Sequence, residues 1–351
     1  MVLFNLFIVS TPRHWLISVF LRLTRFQDEP AMIVFESGFP RKLAEDAINL
    51  DYFSNAEILP SGSEKVQIRA MAKLLDGHRL NHILTGSVNE PFVQFTIQAA
   101  KIQNPNLASY LLDDGLFSYQ ATSRKPMPAL RLFSRKLKYG WWYQEPNPLK
   151  INAPWIDGAF LFFPDKLQGA LPEKNVHGID SNWLSVLDSA EVLKKLNEIY
   201  GLAPQRADID VVVILDVYRK AIETSQDYPE DVVHFLTKLD QSGKRFLLKY
   251  HPRDKANDPL EIQKRFPKQT VLRGEIPFEL LLPNLNEDVM FTGDISTILL
   301  EAKSFLPNAN VSVALIGSHD RTPLPILQNA NIKAYQRFSN IPVGYRSDAV
   351  N

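Results

Sequence analysis

Short apolar runs alternate with stretches of helical periodicity along the first third of the chain. The apolar runs predict strands at residues 4–10, 31–35, 56–59, 82–85 and 107–112. The periodic stretches between them predict helices at residues 13–25, 40–49, 63–75 and 89–102. Strands separated by helices are typical of a parallel sheet with right-handed crossovers. This part of the chain therefore predicts an α/β domain.

The alternation stops over residues 118–181, which are rich in aromatic residues and proline, and it resumes further on. Residues 185–200 predict one long helix. After it, the pattern predicts strands at 210–215, 246–250, 270–272, 289–291 and 311–316, and helices at 230–241, 277–282 and 296–304. We therefore expect an N-terminal domain at 1–183, a helical linker at 184–204 and a C-terminal domain at 205–351, whose final segment is able to return to the N-terminal domain.

Two Rossmann-like domains joined by a helix favour the GT-B arrangement of glycosyltransferases, in which the domains face a cleft. A chain of 351 residues is long enough for two domains. In such sheets, ligands bind beyond the carboxyl ends of the strands. Dehydrogenases and periplasmic binding proteins share this architecture, which leaves function open. Neither a G-x-G-x-x-G nor a P-loop motif is present, and this disfavours dinucleotide and P-loop binding.

Composition narrows the class of protein only slightly. With 45% hydrophobic and 22% charged residues, the chain can bury a sizeable core. The 39 basic and 39 acidic residues balance, so any polyanion must bind a local cluster. The absence of cysteine excludes disulfides and thiolate chemistry, and a cytoplasmic location fits it. The apolar run at 2–9 lacks the flanks of a signal peptide, and no stretch is long enough to span a membrane.

The first motif with candidate chemistry is Asp113-Asp114-Gly115, which directly follows an apolar strand. Neighbouring carboxylates repel one another, so one of them is expected to have a raised pKa and to accept a proton. Gly115 allows a sharp turn and close approach of a substrate. An ordinary Asp-Gly turn after a strand would give the same pattern.

The second motif is His251-Pro252, which follows the predicted strand at 246–250. The proline restricts the backbone, and a protonated imidazole there can donate a hydrogen bond to a phosphate and a proton to its leaving oxygen. A histidine that merely ends the strand remains an alternative.

The third motif joins Gly293 to Ser296 and Thr297 at the start of a predicted helix. Free backbone N–H groups and the helix dipole favour an anion at such a position, and the hydroxyls could hold a phosphate. An ordinary N-cap is the alternative explanation.

This ordered set, an acidic pair with glycine, then His-Pro, then Ser-Ser/Thr, resembles bacterial sialyltransferases and most closely the polysialyltransferases of capsule synthesis. The resemblance implies an inverting transfer from CMP-sialic acid without a catalytic metal or cofactor. It implies that Asp113 is the general base, although the family often has Glu there, which leaves Asp114 as a second candidate. His251 would contact the CMP phosphate, and Ser296 and Thr297 would bind it.

The segment around Pro277 resembles the Pro-x-Glu region that holds cytidine in that family, which makes Glu279 a candidate for binding the ribose. A bare helix start is equally compatible with this segment. His14 follows the first strand closely enough to line the site, and the other histidines are interpreted as structural. Nothing in the sequence has the spacing of a metal site.

A run of basic residues without acidic ones is a candidate contact for a polyanionic acceptor or for the inner face of the cell membrane. Its members are Arg124, Lys125, Arg131, Arg135, Lys136 and Lys138. A solvated surface segment is the alternative, and nucleic acid is disfavoured because no recognised binding motif accompanies the run. Two other functions stay open: transfer from another nucleotide sugar such as CMP-Kdo, and sugar-nucleotide binding without catalysis.

Overall fold

A computed structural model describes residues 2–121, 126–201, 209–254, 258–318 and 320–343. The chain divides into two compact units, Met1–Lys195 (unit 1) and Leu196–Asn351 (unit 2). Within the described ranges, no helix is both long enough and apolar enough to cross a membrane.

Unit 1 is built on a parallel sheet with the strand order β3-β2-β1-β4-β5-β6-β7. Its strands are β1 Leu3–Val9, β2 Ala31–Phe35, β3 Asn55–Ile58, β4 Arg79–Thr85, β5 Ala108–Leu112, β6 Gly158–Leu161 and β7 Asn175–Gly178. Its helices are α1 Pro12–Thr24, α2 Arg41–Ile48, α3 Glu64–Asp76, α4 Pro91–Gln103, α5 Ala129–Tyr139 and α6 Trp183–Ser189, and α7 Val192–Tyr200 contains the boundary with unit 2.

The apolar runs of the sequence become the central strands of this sheet. β2 is buried along its whole length, and Phe7 of β1 pairs with Ile33 on one side and Leu84 on the other. Continuous apolar runs are required here because helices cover both faces of a parallel sheet. The strand order reverses beside β1, which is where ligands bind in doubly wound sheets.

The middle of the chain contains more regular structure than the sequence predicts. Residues 118–181 hold α5 and the short strands β6 and β7, which were not predicted because each strand has only four residues. The single helix predicted at 185–200 is wrong, since the structure has α6 and α7 instead. The chain breaks between them at Glu191, whose φ of 58° is left-handed.

Unit 2 contains a second parallel sheet, with the order β10-β9-β8-β11-β12-β13. Its strands are β8 Val211–Ile214, β9 Phe246–Lys249, β10 Thr270–Leu272, β11 Met290–Gly293, β12 Asn310–Ala314 and β13 Lys333–Tyr335. Its remaining helices are α8 Tyr218–Thr224, α9 Tyr228–Gln241, α10 Ile262–Arg265, α11 Thr297–Phe305 and α12 Leu324–Asn329.

The helix predicted at 277–282 is replaced by two short 3-10 turns, Phe278–Leu280 and Leu282–Asn284. Pro283 directly follows the predicted range, and the residue before a proline is disfavoured in the α-helical conformation, so a helix that ends at Leu282 is not favoured. The last described segment packs within unit 2, where the Phe338 N–H donates to the buried Asp231 carboxylate at 2.7 Å.

Candidate functional site

Polar residues collect where the central strands of unit 1 end. β1 is followed by Ser10 and the start of α1, β2 by Glu36, β4 by Gly86, and β5 by Asp113 and Asp114. Because all of these strands are parallel, their carboxyl ends share one edge of the sheet. We call it the carboxyl edge of unit 1.

Asp113 is fully buried and its carboxylate is surrounded by donors. Oδ1 accepts hydrogen bonds from Arg13 Nη2 at 3.0 Å and from the Gly115 N–H at 2.8 Å. Oδ2 accepts from the Phe162 N–H at 3.1 Å and from the Tyr119 hydroxyl. This carboxylate therefore ties α1, the Asp-Gly turn and the end of β6 together.

Asp114 is the accessible member of the pair, with 33% of its side chain exposed. Lys150 Nζ contacts its Oδ2, and His14 Nε2 lies 3.1 Å from its Oδ1. Partial burial alone would raise the pKa of Asp114, but Lys150 and His14 outweigh that effect and hold it well below its usual range. Asp114 is thus a fixed negative charge.

His14, the secondary candidate from the sequence, is held firmly against Asp114. Nδ1 of its buried ring lies 3.0 Å from Ser10 Oγ. The backbone N–H of His14 donates to Oγ1 of Thr11, the N-cap of α1, at 3.2 Å. Gly86 lies directly beside the ring, and a Cβ at that position would come within 2.0 Å of it. Gly86 is therefore required for the ring to occupy this position.

Glu36 also lies on this edge, and no sequence motif pointed to it. Burial raises the pKa of its carboxyl group to about 7, with further contributions from the negative charges of Glu90 and Asp114. A hydrogen bond with Ser87 and the charge of Lys150 oppose the shift. Its place directly after an apolar strand, like that of Asp113, is the signal that could have revealed it.

In unit 2, His251 follows β9 as predicted, but its ring differs from the expected protonated form. Burial lowers the pKa of His251 to about 4 against the opposing charge of Asp216, so the ring is neutral near pH 7 in the free chain. Nδ1 accepts the Arg253 N–H at 3.1 Å, which assigns the ring proton to Nε2. The neutral ring can still donate a hydrogen bond from Nε2.

Lys249, the last residue of β9, is buried two residues before His251. Its Nζ donates to the Gly274 carbonyl at 2.9 Å and to the Ile276 carbonyl at 2.7 Å. Burial lowers the pKa of Lys249 to about 8, against the opposing charge of the buried Glu279. The segment that carries Glu279 is thereby fixed to β9.

Ser296 is the N-cap of α11, and its Oγ accepts the Ile298 N–H at 3.3 Å. Thr297 is the first residue of that helix. Gly293 ends β11, and a Cβ there would lie 2.0 Å from the Ile214 carbonyl of β8. Since β9 and β11 flank β8, the His251 and Ser296 motifs share the carboxyl edge of unit 2.

Asp294, which lies between Gly293 and Ser296, links the end of β11 to the end of β8. Its Oδ2 accepts the Asp216 N–H at 2.9 Å and the Tyr228 hydroxyl at 2.5 Å. Burial raises the pKa of Asp294 to about 7. The buried carboxyl group thus holds the end of β8 beside the end of β11.

The predicted basic run is only partly available for binding. Arg124 and Lys125 lie outside the described residues. Arg135 donates to the Tyr143 hydroxyl at 3.0 Å, and Lys138 pairs with Glu64 at 2.9 Å. Arg131 is exposed on α5, and the Lys136 ammonium lies 6.0 Å from the centre of the Trp141 ring.

Solved structures similar to this chain share its architecture at low sequence identity. UDP-GlcNAc 2-epimerase from Neisseria meningitidis, bound to UDP-GlcNAc, matches with a TM-score of 0.55 and 14% identity over 95% of this chain and 87% of that one. UDP-GlcNAc 2-epimerase from Methanocaldococcus jannaschii matches with a TM-score of 0.54 and 13% identity over 99% of this chain and 96% of that one. Phytolacca americana UGT2, complexed with UDP-2-fluoro-glucose and pterostilbene, matches with a TM-score of 0.51 and 12% identity over 95% of this chain and 85% of that one.

The two parallel α/β sheets and these likenesses define a GT-B fold. The sequence model of the alpha-2,8-polysialyltransferase family (POLYST) matches residues 5–315, a range that includes all three motifs. The chain therefore is a glycosyltransferase, and it belongs to the alpha-2,8-polysialyltransferase family. Comparison with the curated proteins gave no match.

Proposed function

We propose that this chain transfers sialic acid from CMP-sialic acid to a sialylated or capsular glycan, with inversion at the anomeric carbon and without a metal or cofactor. The observation that carries the proposal is the position of the three motifs. Each lies at the carboxyl end of a strand within the range matched by the family. Such strand ends are where ligands bind in open α/β sheets.

Donor binding is assigned to unit 2. His251 Nε2–H and the first N–H groups of α11, with the hydroxyls of Ser296 and Thr297, would receive the phosphate of CMP. Glu279 would bind the ribose, while Pro252 and Gly293 shape the backbone beside it. These donors stabilise the negative charge that develops as CMP departs, which is the main electrostatic task in the reaction.

Acceptor activation is assigned to the carboxyl edge of unit 1. The acceptor oxygen forms a bond to the anomeric carbon, and its proton passes to a carboxylate. The bond to the phosphate oxygen breaks, and its electron pair leaves with CMP. The family resemblance implies that Asp113 accepts the proton, whereas Asp114 is the accessible member of the pair. We therefore assign general-base catalysis to this edge and test both residues.

Peripheral contact with the inner face of the membrane is the second part of the proposal. α5 carries Arg131 and Lys136 together with an exposed apolar stripe, formed by Leu130, Phe133, Leu137 and the following Trp141. A soluble polyanion would need the cations alone, whereas an anionic membrane surface also accepts the apolar side chains. The stripe therefore favours the membrane over a soluble polyanion as the contact of α5.

The decisive experiment incubates the chain with a sialylated oligosaccharide and either CMP-sialic acid or CMP-Kdo, with and without EDTA, and sizes the products. We expect elongation with CMP-sialic acid alone, equal in the presence of EDTA. Asp113→Ala and His251→Ala should each lower transfer by roughly 10²-fold or more. Product from CMP-Kdo only, or donor binding without any turnover, would refute the proposal in favour of the other two functions.

A further inference from the structure

We propose that Phe117 is an acceptor-binding residue, whose ring packs against the apolar C–H side of the acceptor's terminal sugar next to the acidic pair. The inference rests on the proposed transfer, for which it names a group that positions the acceptor. The proton acceptor itself stays in the Asp113-Asp114-Gly115 turn.

A 3-10 turn after β5 brings Phe117 to the same side of the chain as Asp114. The turn comprises Gly115–Ser118, and Asp114 is its N-cap. In such a turn, side chains that are three residues apart lie one above the other. Asp114 and Phe117 have this spacing, and both are accessible, with 33% of the Asp114 side chain and 41% of Phe117 exposed. An acceptor hydroxyl that reaches Asp114 therefore brings its sugar ring close to Phe117.

The residues on either side of Phe117 anchor the turn in the core. Leu116, Ser118 and Tyr119 are all buried. The Tyr119 hydroxyl donates to Asp113 Oδ2, and Ser118 Oγ accepts the backbone N–H of residue 114 at 2.8 Å. Turning the Phe117 ring into the core would break these contacts, so the fold holds this one large apolar side chain of the turn at the surface.

The location of Phe117 distinguishes it from the other exposed apolar residues, since a single exposed apolar side chain is ordinary in itself. Among the exposed large apolar residues of the described ranges, Phe117 alone lies just beyond the carboxyl end of a central strand of unit 1. The others lie at the start of β1, on or beside helices, or in the segment before β7. Because ligands of α/β sheets bind at the carboxyl edge, Phe117 is exposed where a substrate is expected.

A sugar matches the combination of groups at this turn. A sugar ring carries hydroxyl groups around its rim and C–H groups on its faces, so it needs polar partners and a flat apolar surface together. Ligand sites commonly combine aromatic side chains with a few placed polar groups. Here Asp114 supplies the polar group and Phe117 the flat surface. Packing of the C–H groups against the ring removes apolar surface from water, which stabilises the bound acceptor.

The test compares Phe117→Ala, Phe117→Tyr and the control Leu171→Ala in transfer from CMP-sialic acid to a sialylated oligosaccharide. Leu171 is 44% exposed in unit 1, away from the carboxyl edge. Phe117→Ala should raise KM for the acceptor roughly 10-fold and leave kcat and KM for CMP-sialic acid unchanged. Phe117→Tyr keeps the ring and should keep the acceptor KM, as should Leu171→Ala. Equal acceptor KM in the two alanine variants, or a rise in the donor KM instead, would overturn the inference.

A second readout does not depend on the donor. In saturation-transfer difference NMR with CMP and the oligosaccharide present, irradiation of aromatic protons should transfer saturation to sugar C–H protons in the wild type and in Phe117→Tyr. The signals should be largely lost in Phe117→Ala. Wild-type spectra without these signals, or equal signals in Phe117→Ala, overturn the inference whatever sugar the chain transfers. Failure of CMP-sialic acid as donor, with signals that depend on Phe117, refutes the proposed function instead.

Discussion

Asp113 and Asp114 are adjacent in the chain but have opposite environments. Asp113 is enclosed by donors that include Arg13, whereas Asp114 reaches solvent between His14 and Lys150. The chain turns directly after them at Gly115, where φ is 81°. The Asp113 carboxylate therefore contacts several segments of the edge, whereas the Asp114 carboxylate is partly accessible to solvent.

This difference predicts different effects of the two alanine substitutions on stability. Asp113→Ala leaves the guanidinium of Arg13, only 14% exposed, without its carboxylate, which should lower the free energy of unfolding by about 3–5 kcal/mol. Asp114→Ala removes a partly solvated charge and should have a much smaller effect. Thermal melting followed by circular dichroism measures both.

Measuring both melting and transfer distinguishes a catalytic role of Asp113 from a role in stabilising the fold. An Asp113→Ala variant that melts like the wild type but has lost transfer would show that the residue acts in the chemistry rather than in the fold. Asp113→Asn is the accompanying variant, because it keeps the shape of the side chain and removes only the charge.

Sequence reasoning located the residues that form recognisable motifs. Asp113, His251 and Ser296 all lie at strand ends, as their spacing from the apolar runs predicted. Their roles remain predictions. The neutral state of His251 and the raised pKa of Glu36 could not be predicted, because burial produces both and burial depends on residues distant in sequence.

At the scale of elements, α5 differs from the other described α-helices because none of its residues is buried. Leu130 and Leu137 are 81% and 66% exposed, and Trp141 beyond the helix is 71% exposed. The side chains of residues 130, 133 and 137 share one face at helical spacing. An exposed apolar stripe beside basic residues is typical of a helix that lies in a membrane interface.

We expect α5 to attach the chain to anionic vesicles. The double variant Leu130→Ser/Leu137→Ser should reduce cosedimentation with phosphatidylglycerol vesicles because it removes buried apolar area from the bound state. Ile102→Ser is the matched control, since Ile102 is 83% exposed on α4, outside the stripe. Transfer to a soluble acceptor should persist in both variants. Equal cosedimentation of the double variant and the control would contradict the membrane contact.

At the scale of the whole molecule, the candidate residues are divided between the two units. Every residue proposed to bind CMP belongs to unit 2, and every candidate for accepting the proton belongs to unit 1. The division follows from the repeated α/β plan, in which each sheet has its own carboxyl edge.

This division predicts that donor affinity and acceptor activation can be changed separately. His251→Ala should weaken CMP binding by roughly 10-fold or more, because it removes a hydrogen bond to a charged phosphate. Asp114→Asn should leave the Kd for CMP unchanged while it lowers transfer. Isothermal titration calorimetry with the full chain measures both, and His234→Ala, an exposed histidine on α9, is the control. Equal loss of CMP affinity in Asp114→Asn and His251→Ala would contradict the division.

The sequence by itself determined the α/β architecture, because parallel strands buried on both faces must be continuous apolar runs and these are visible in the chain. It also determined the family, since the ordered motifs predicted it and the sequence model of the family matches residues 5–315. Only the tertiary structure decided which side chains are buried together at each edge. The enclosure of Asp113, the neutral ring of His251 and the burial of the Glu36 carboxyl group all depend on contacts between strands, loops and helices that are distant in sequence.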